Sequence, residues 1–301
     1  MNEKNRGMVR ATVATFLLAL AMFLLRMAVI WRDVDGATGL FRQPTSLLCT
    51  VYNGAGAVLL GVYLIVAMIL QARQKKKGKE EAAPVEEDAF DPIITEEAEE
   101  PEEAEEPVSG AVRAAATWSG TLSAFSYFLP GFGFLFFALS FVLQGKPDVM
   151  TGLFCLLSAA SGVFFLLSAM RNRTTKHGAM AFFGLVPALW ATLRMVIEYR
   201  DVDKFINREL YTANLLFLIA AVCFFIYQAQ MVLGEENYTM PHSWAAAALL
   251  VILFGLSARL PQVLGLFLDR LGAMDLRDAA SLLLDLSLTL FAGMKVKEML
   301  R

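Results

Sequence analysis

Eight stretches of this chain carry almost no charge, at roughly 11–31, 46–70, 118–143, 149–170, 179–199, 210–233, 244–266 and 279–295. An α-helix rising 1.5 Å per residue needs about 20 residues to cross a hydrocarbon core of roughly 30 Å, and most of these runs meet that length. Lipid offers the backbone no water, so each run must close its own hydrogen bonds as a helix. The fold class that follows is all-α, a polytopic transmembrane bundle of about eight helices. The eighth run is the weakest, because Asp285 interrupts it and Asp275, Arg277 and Asp278 crowd its start. The first run follows Lys4, Arg6 and Arg10 as a secretory signal would. It contains Arg26, however, and ends in Trp31-Arg32-Asp33 with no small-residue cleavage pattern, so it reads as a membrane helix.

Charge divides the loops into two sets. The N-terminus, the segment after the second run, the 171–178 loop and the C-terminus together hold fifteen Lys and Arg, against eight in the alternate loops. By the positive-inside rule this predicts a multi-pass protein of the cytoplasmic membrane with both termini and the long linker in the cytoplasm. The 234–243 loop carries Glu235 and Glu236 without Lys or Arg and adds nothing to the bias.

Composition also marks the domain boundaries. Residues 1–72 hold helices 1 and 2, 118–178 helices 3 and 4, and 179–301 helices 5 to 8; between them 73–117 turns first basic and then acidic. From Glu80 to Pro107 the chain has 14 acidic residues and no Lys or Arg, a density of like charge that predicts disorder. A solvated tether is the simpler reading. The sharper one is an acidic segment that docks a cytoplasmic protein partner through its apolar island Phe90, Ile93 and Ile94. Lys75, Lys76, Lys77 and Lys79 form a topology anchor that also suits anionic membrane lipids.

Leu25 to Asp35 reads LRMAVIWRDVD and Leu193 to Asp203 reads LRMVIEYRDVD, so seven of eleven positions match. The next apolar run begins at Leu47 or Leu215, 21 residues past the arginine in both copies. The copies lie four helices apart, which predicts two parallel four-helix repeats built from hairpins.

A charged side chain at the bilayer centre costs roughly 2.5–3.5 kcal/mol and usually faces a bundle interior or cavity. Arg26, Arg194, Arg259, Glu198 and Asp285 are therefore the candidates for a ligand site or ion path, with Asn214 beside them near the start of helix 6. The three arginines lie late in odd-numbered helices, so snorkelling to headgroup water or a structural salt bridge between helices is the simpler alternative. Arg194 and Glu198 are four residues apart on one helix face, where a pair can form. Ser281, Asp285 and Thr289 form one polar stripe down helix 8, a candidate water path, and Asp285 is equally placed to pair with Arg259. Pro130, Gly131 and Gly133 are candidates to break helix 3 and expose its backbone. Gly54, Gly56 and Gly61 in helix 2 and Ser158, Ser161 and Gly162 in helix 4 read as close-packing surfaces.

Other chemistry is not signalled. Cys49, Cys155 and Cys223 lie on different helices with no CxxC pair, so they read as small buried hydrophobes. His177 and His242 stand without metal-ligand partners, no cofactor motif occurs, and no basic, aromatic-interleaved patch suggests nucleic acid. No nucleophile is paired with a base, which points away from an enzyme. Two functions remain open: a binding, sensor or scaffold subunit with a small-anion or lipid-headgroup site near the arginines, or a secondary transporter with a central charged path.

The stretch from Pro187 to Gly234, with Trp190, Leu193-Arg194 and Asn214-Leu215-Leu216, resembles uncharacterised polytopic integral membrane proteins of anaerobic Firmicutes. That resemblance implies a bacterial cytoplasmic membrane; the group has no established activity, and it supplies no catalytic or binding residue.

Overall fold

The computed structural model describes residues 3–34, 47–81, 110–144, 149–170, 182–200, 208–233, 242–268 and 275–300. All eight apolar runs are helical. They are α1 (Glu3–Asp33), α2 (Leu47–Glu81), α3 (Gly110–Gln144), α4 (Val149–Met170), α5 (Val186–Arg200), α6 (Arg208–Leu233), α7 and α8 (Leu276–Leu300). The helix α7 has three parts: His242–Phe254, a wide π turn Gly255–Arg259, and Leu260–Phe267. Each of the eight carries a span long and apolar enough to cross a membrane, so the chain is an all-α integral membrane protein.

Burial ranks the helices. In α7 72% of the span is enclosed by protein, against 22% in α2, and α7 packs on α1, α2, α6 and α8. The reason is visible in its sequence: Trp244-Ala-Ala-Ala-Ala-Leu-Leu-Val-Ile-Leu-Phe254 is apolar on every side, with small residues that admit neighbours closely. The α3–α4 hairpin lies to one side, joined to the rest through α3 on α8 and α4 on α5. Exposed Leu, Val and Phe side chains, among them Leu17, Val58, Phe132, Leu156 and Leu189, cover the outward faces. In lipid such faces need no further cover.

Aromatic rings fill the interior between these groups. Trp190 stands edge-on to Phe134 at 4.7 Å and to Phe137 at 5.9 Å, and lies parallel to Phe154 at 6.0 Å. A second group, Phe165, Phe224, Phe225 and Phe291, continues the cluster along α8. Edge-to-face pairs at these separations contribute about 0.5–1.5 kcal/mol each beyond burial.

Three sequence expectations change. Helix 3 is not broken: α3 runs unbroken through Pro130. The small residues serve contact instead, since a Cβ on Gly131 would meet Leu166 and one on Gly162 would meet the Gly131 carbonyl at 3.0 Å. Neighbouring helices at such distances hold a proline-containing helix in shape. In helix 2 only Gly56 is a packing glycine, against Leu216, Phe254 and Met22; Gly54 and Gly61 face open space. Helix occupies both ends of the 73–117 linker, to Glu81 and from Gly110, while the acidic stretch 82–109 with Phe90, Ile93 and Ile94 lies outside the described residues.

The repeated motif is used differently by its two copies. Leu47 opens α2, but Leu215 lies well inside α6, which begins at Arg208. Arg26 points to α2, whereas Arg194 reaches across to α8.

Candidate functional site

One end of the bundle gathers the intramembrane charges. Arg194 late in α5 meets Asp285 early in α8, Arg259 late in α7 meets the same carboxylate, and Asn214 lies early in α6. Late positions on odd helices and early positions on even ones fall together when the helices alternate in direction. This is the end opposite the N-terminus of α1 and the C-terminus of α8.

Asp285, fully buried, is the centre. Arg194 donates to it twice, from Nη1 to Oδ1 at 2.6 Å and from Nη2 to Oδ2 at 2.8 Å. The same guanidinium donates from Nε to Glu198 Oε1 at 2.7 Å and from Nη2 to Ser281 Oγ at 2.6 Å. The ring face of Trp190 lies 5.3 Å from its central carbon, and that of Phe137 5.5 Å. Arg194 is therefore held from every side, by acceptors around its edge and by aromatic faces.

Arg259 is held less completely. Its Nη2 lies 2.6 Å from Asp285 Oδ2, an ion pair without hydrogen-bond geometry. Only Nη1 donates, to Gln262 Oε1 at 3.1 Å; Nε and Nη2 are buried without a hydrogen-bond acceptor. Gln262 in turn donates from Nε2 to Asn214 Oδ1 at 3.2 Å, and Phe217 lies under the guanidinium at 5.7 Å. One acceptor atom is unused as well: Glu198 Oε2 is buried with no donor. An unmet polar atom costs roughly 1–3 kcal/mol, more when charged.

The backbone that aims Arg259 is unusual. The N–H of Leu260 donates to the Gly255 carbonyl, five residues back, and Pro261 follows with no N–H to give. A π turn inserts one extra residue and rotates everything after it; such turns recur at functional sites. Gly255 permits it. A Cβ there would collide with the Thr289 side chain, so α7 and α8 touch backbone to side chain one turn from Asp285.

Five of the six candidate residues, Arg194, Glu198, Arg259, Asp285 and Asn214, thus share one network, and Gln262 completes it. Gln262 was not singled out in the sequence, although its spacing of three from Arg259 places both on one helix face. Arg26 belongs to a neighbouring cluster. Its Nη1 lies 3.4 Å from the Cys49 sulfur and its guanidinium 5.0 Å over Tyr52, whose hydroxyl donates to Ser257 Oγ at 3.3 Å. Cys49 also receives Asn53 Nδ2 at 3.7 Å, so this thiol is an acceptor and not only a small hydrophobe. None of the three arginines snorkels: their exposures are 0% for Arg26, 2% for Arg194 and 3% for Arg259.

The polar side chains of the α8 stripe are engaged by neighbours. Ser281 is bonded to Arg194, and Thr289 donates from Oγ1 to the Asp285 carbonyl at 2.8 Å while pressing on Gly255. A separate polar group occupies the other end of α8. There Lys295 pairs with Glu298 at 2.8 Å over the Tyr127 ring, and Gln228 joins Tyr127 to Trp244. Among the described residues no three His, Cys, Asp or Glu converge as metal ligands. Comparison with protein-family models, with curated proteins and with solved structures finds no match.

Proposed function

We propose that this integral membrane protein binds a small anion at the open donor edge of Arg259, inside the bundle, and works as a binding, sensor or scaffold subunit without catalysing a reaction. The observation that carries this reading is the Nε of a buried arginine with no acceptor, beside a second arginine already saturated by Asp285 and Glu198. A guanidinium out of water is stable only when its donors are met, and a planar or spherical anion meets them best. Asn214 and Gln262 supply neutral amides that can turn toward such a guest. Transport along α8 is the weaker reading, because Thr289 closes against Gly255 just beyond Asp285. The loop charge bias supports a topology with both termini and the acidic linker in the cytoplasm, which sets the arginine cluster toward the outer face.

The test is a thermal-shift series on protein in zwitterionic lipid nanodiscs, with chloride, nitrate, acetate and sulfate, repeated with an anionic lipid in place of added salt. Monovalent anions are expected to raise the melting temperature of the wild type but not of Arg259→Lys, which keeps the charge and loses Nε. Stabilisation by anionic lipid alone assigns the site to a headgroup. No stabilisation by any of these, or equal stabilisation of Arg259→Lys, rules the reading out. Flux of the same anions into proteoliposomes would favour transport instead.

A further inference from the structure

The four charges of the cluster balance. Arg194 and Arg259 carry two positive charges, Glu198 and Asp285 two negative, all within one hydrogen-bonded or ion-paired group. Around it, Asp275 and Asp278 add two negative charges, and Arg277, stacked 4.1 Å over Phe141, and Arg26 of α1, over Tyr52 beside the π turn, add two positive ones. The spans of α3 and α4 and the described part of α6 from Thr212 to Gln230 present no charge to the cluster. A bare anion on Arg259 would therefore leave one uncompensated negative charge in a water-poor interior, where each unpaired ion costs several kcal/mol.

Resting on the anion site proposed above, we infer that the anion enters with a proton and that Glu198 takes it. Three carboxylates are near, Asp285, Glu198 and Asp278; Asp278 sits at the rim beside Asp275 and Arg277 and pairs with neither arginine of the cluster, which leaves two whose surroundings differ. Asp285 is fully buried and grips Arg194 through both oxygens while Arg259 lies at 2.6 Å, so a proton there would displace three charge contacts. Glu198 uses only Oε1, toward Arg194, and its Oε2 is the buried oxygen without a donor. Its side chain is 18% exposed, which gives a proton a way in that Asp285 lacks. Hydronium or a buffer acid gives the proton to Oε2: its bond to hydrogen breaks as the carboxyl O–H forms, and water or the conjugate base stays in the aqueous phase. Afterwards Arg194 and Arg259 are balanced by Asp285 and the guest. Anion and proton leave together by the reverse step, so the site senses the product of the two concentrations and its occupancy carries no net charge.

The experiment uses the full chain in zwitterionic nanodiscs under weak buffering with a pH dye. Nitrate is the probe, because it does not itself titrate near neutrality, and Trp190 beside Arg194 reports binding by its fluorescence. About one proton is expected to be taken up per nitrate bound, with affinity falling about tenfold per pH unit while Glu198 is ionised. Glu198→Gln, neutral already, is expected to bind nitrate without proton uptake and independently of pH. Wild-type binding with no uptake and no pH dependence overturns the coupling and leaves the anion site standing. Absence of nitrate binding in both proteins removes the site and the coupling together. Uptake that survives in Glu198→Gln and vanishes in Asp285→Asn overturns the assignment to Glu198. Should Glu198→Gln fail to fold, the wild-type stoichiometry still decides the coupling.

Discussion

Arg194 clasps Asp285 through two parallel hydrogen bonds, at 2.6 and 2.8 Å, across 91 residues of sequence. The helices α5 and α8 are not close-packed neighbours; the long arginine side chain spans the space between them, past Trp190 and Phe137. A single carboxylate thereby ties the α5–α6 hairpin and α7 to the last helix.

Removing that carboxylate should cost more than any contact on the lipid-facing surface. Asp285→Ala leaves two buried guanidiniums without their counter-ion, and a loss of about 3–5 kcal/mol is expected. Formate at high concentration fits the space vacated by the side chain and should restore part of the melting temperature. Recovery by sulfate or by ionic strength alone would contradict a specific refilling of the site.

Gly255 and Gly54 make a matched pair of substitutions. Gly255→Ala drives a methyl into Thr289 and should destabilise by about 1–3 kcal/mol, partly relieved in combination with Thr289→Ala. Gly54→Ala meets nothing within 4 Å and should be neutral or stabilising by up to about 1 kcal/mol through helix propensity. Melting curves of the three variants in one lipid check both statements.

Trp190 tests the aromatic floor under Arg194. Its Nε1 is buried without a hydrogen-bond partner, so Trp190→Phe gives up ring area but no polar contact and should be tolerated far better than Trp190→Ala, expected to cost about 3–5 kcal/mol. If the two variants melt alike, the ring contributes little to the packing around the cluster.

Topology is accessible to labelling. In a cysteine-free background, cysteines at Lys79 and Thr175 should be protected from a membrane-impermeant maleimide in intact cells, and cysteines at Arg42 and Lys204 should react. The opposite pattern would turn the protein over and place the arginine cluster toward the cytoplasm.

The apolar runs were legible because a lipid-facing helix writes its length and character directly into composition. The pairing of Arg194 with Glu198 was legible from spacing, and that of Asp285 with Arg259 was visible as one option, since each needed a partner and few charges were on offer. What could not be read was which helices would be neighbours: nothing in one chain says that α5 reaches α8 and not α1. Pro130 misled because a proline's missing hydrogen bond looks like a break until neighbouring helices are known to lock the backbone. The π turn left only one trace, Pro261 placed shortly after an arginine, and the two glycines that differ in role, Gly56 and Gly54, have the same local sequence character.

The wide turn at Gly255 also divides α7 into two rods with separate bookkeeping of direction. A regular helix keeps one phase from end to end, so a residue's azimuth is fixed by its distance from the first turn. Here the first thirteen residues, His242–Phe254, answer to the crowded middle of the bundle, and the segment from Leu260 answers to the polar end. Straightening the turn would swing the later half by about 100° and take Arg259 and Gln262 away from Asp285 and Asn214. The extra residue is thus a phase shifter, and the charge of the interior depends on a geometry that neither hydropathy nor helix length encodes.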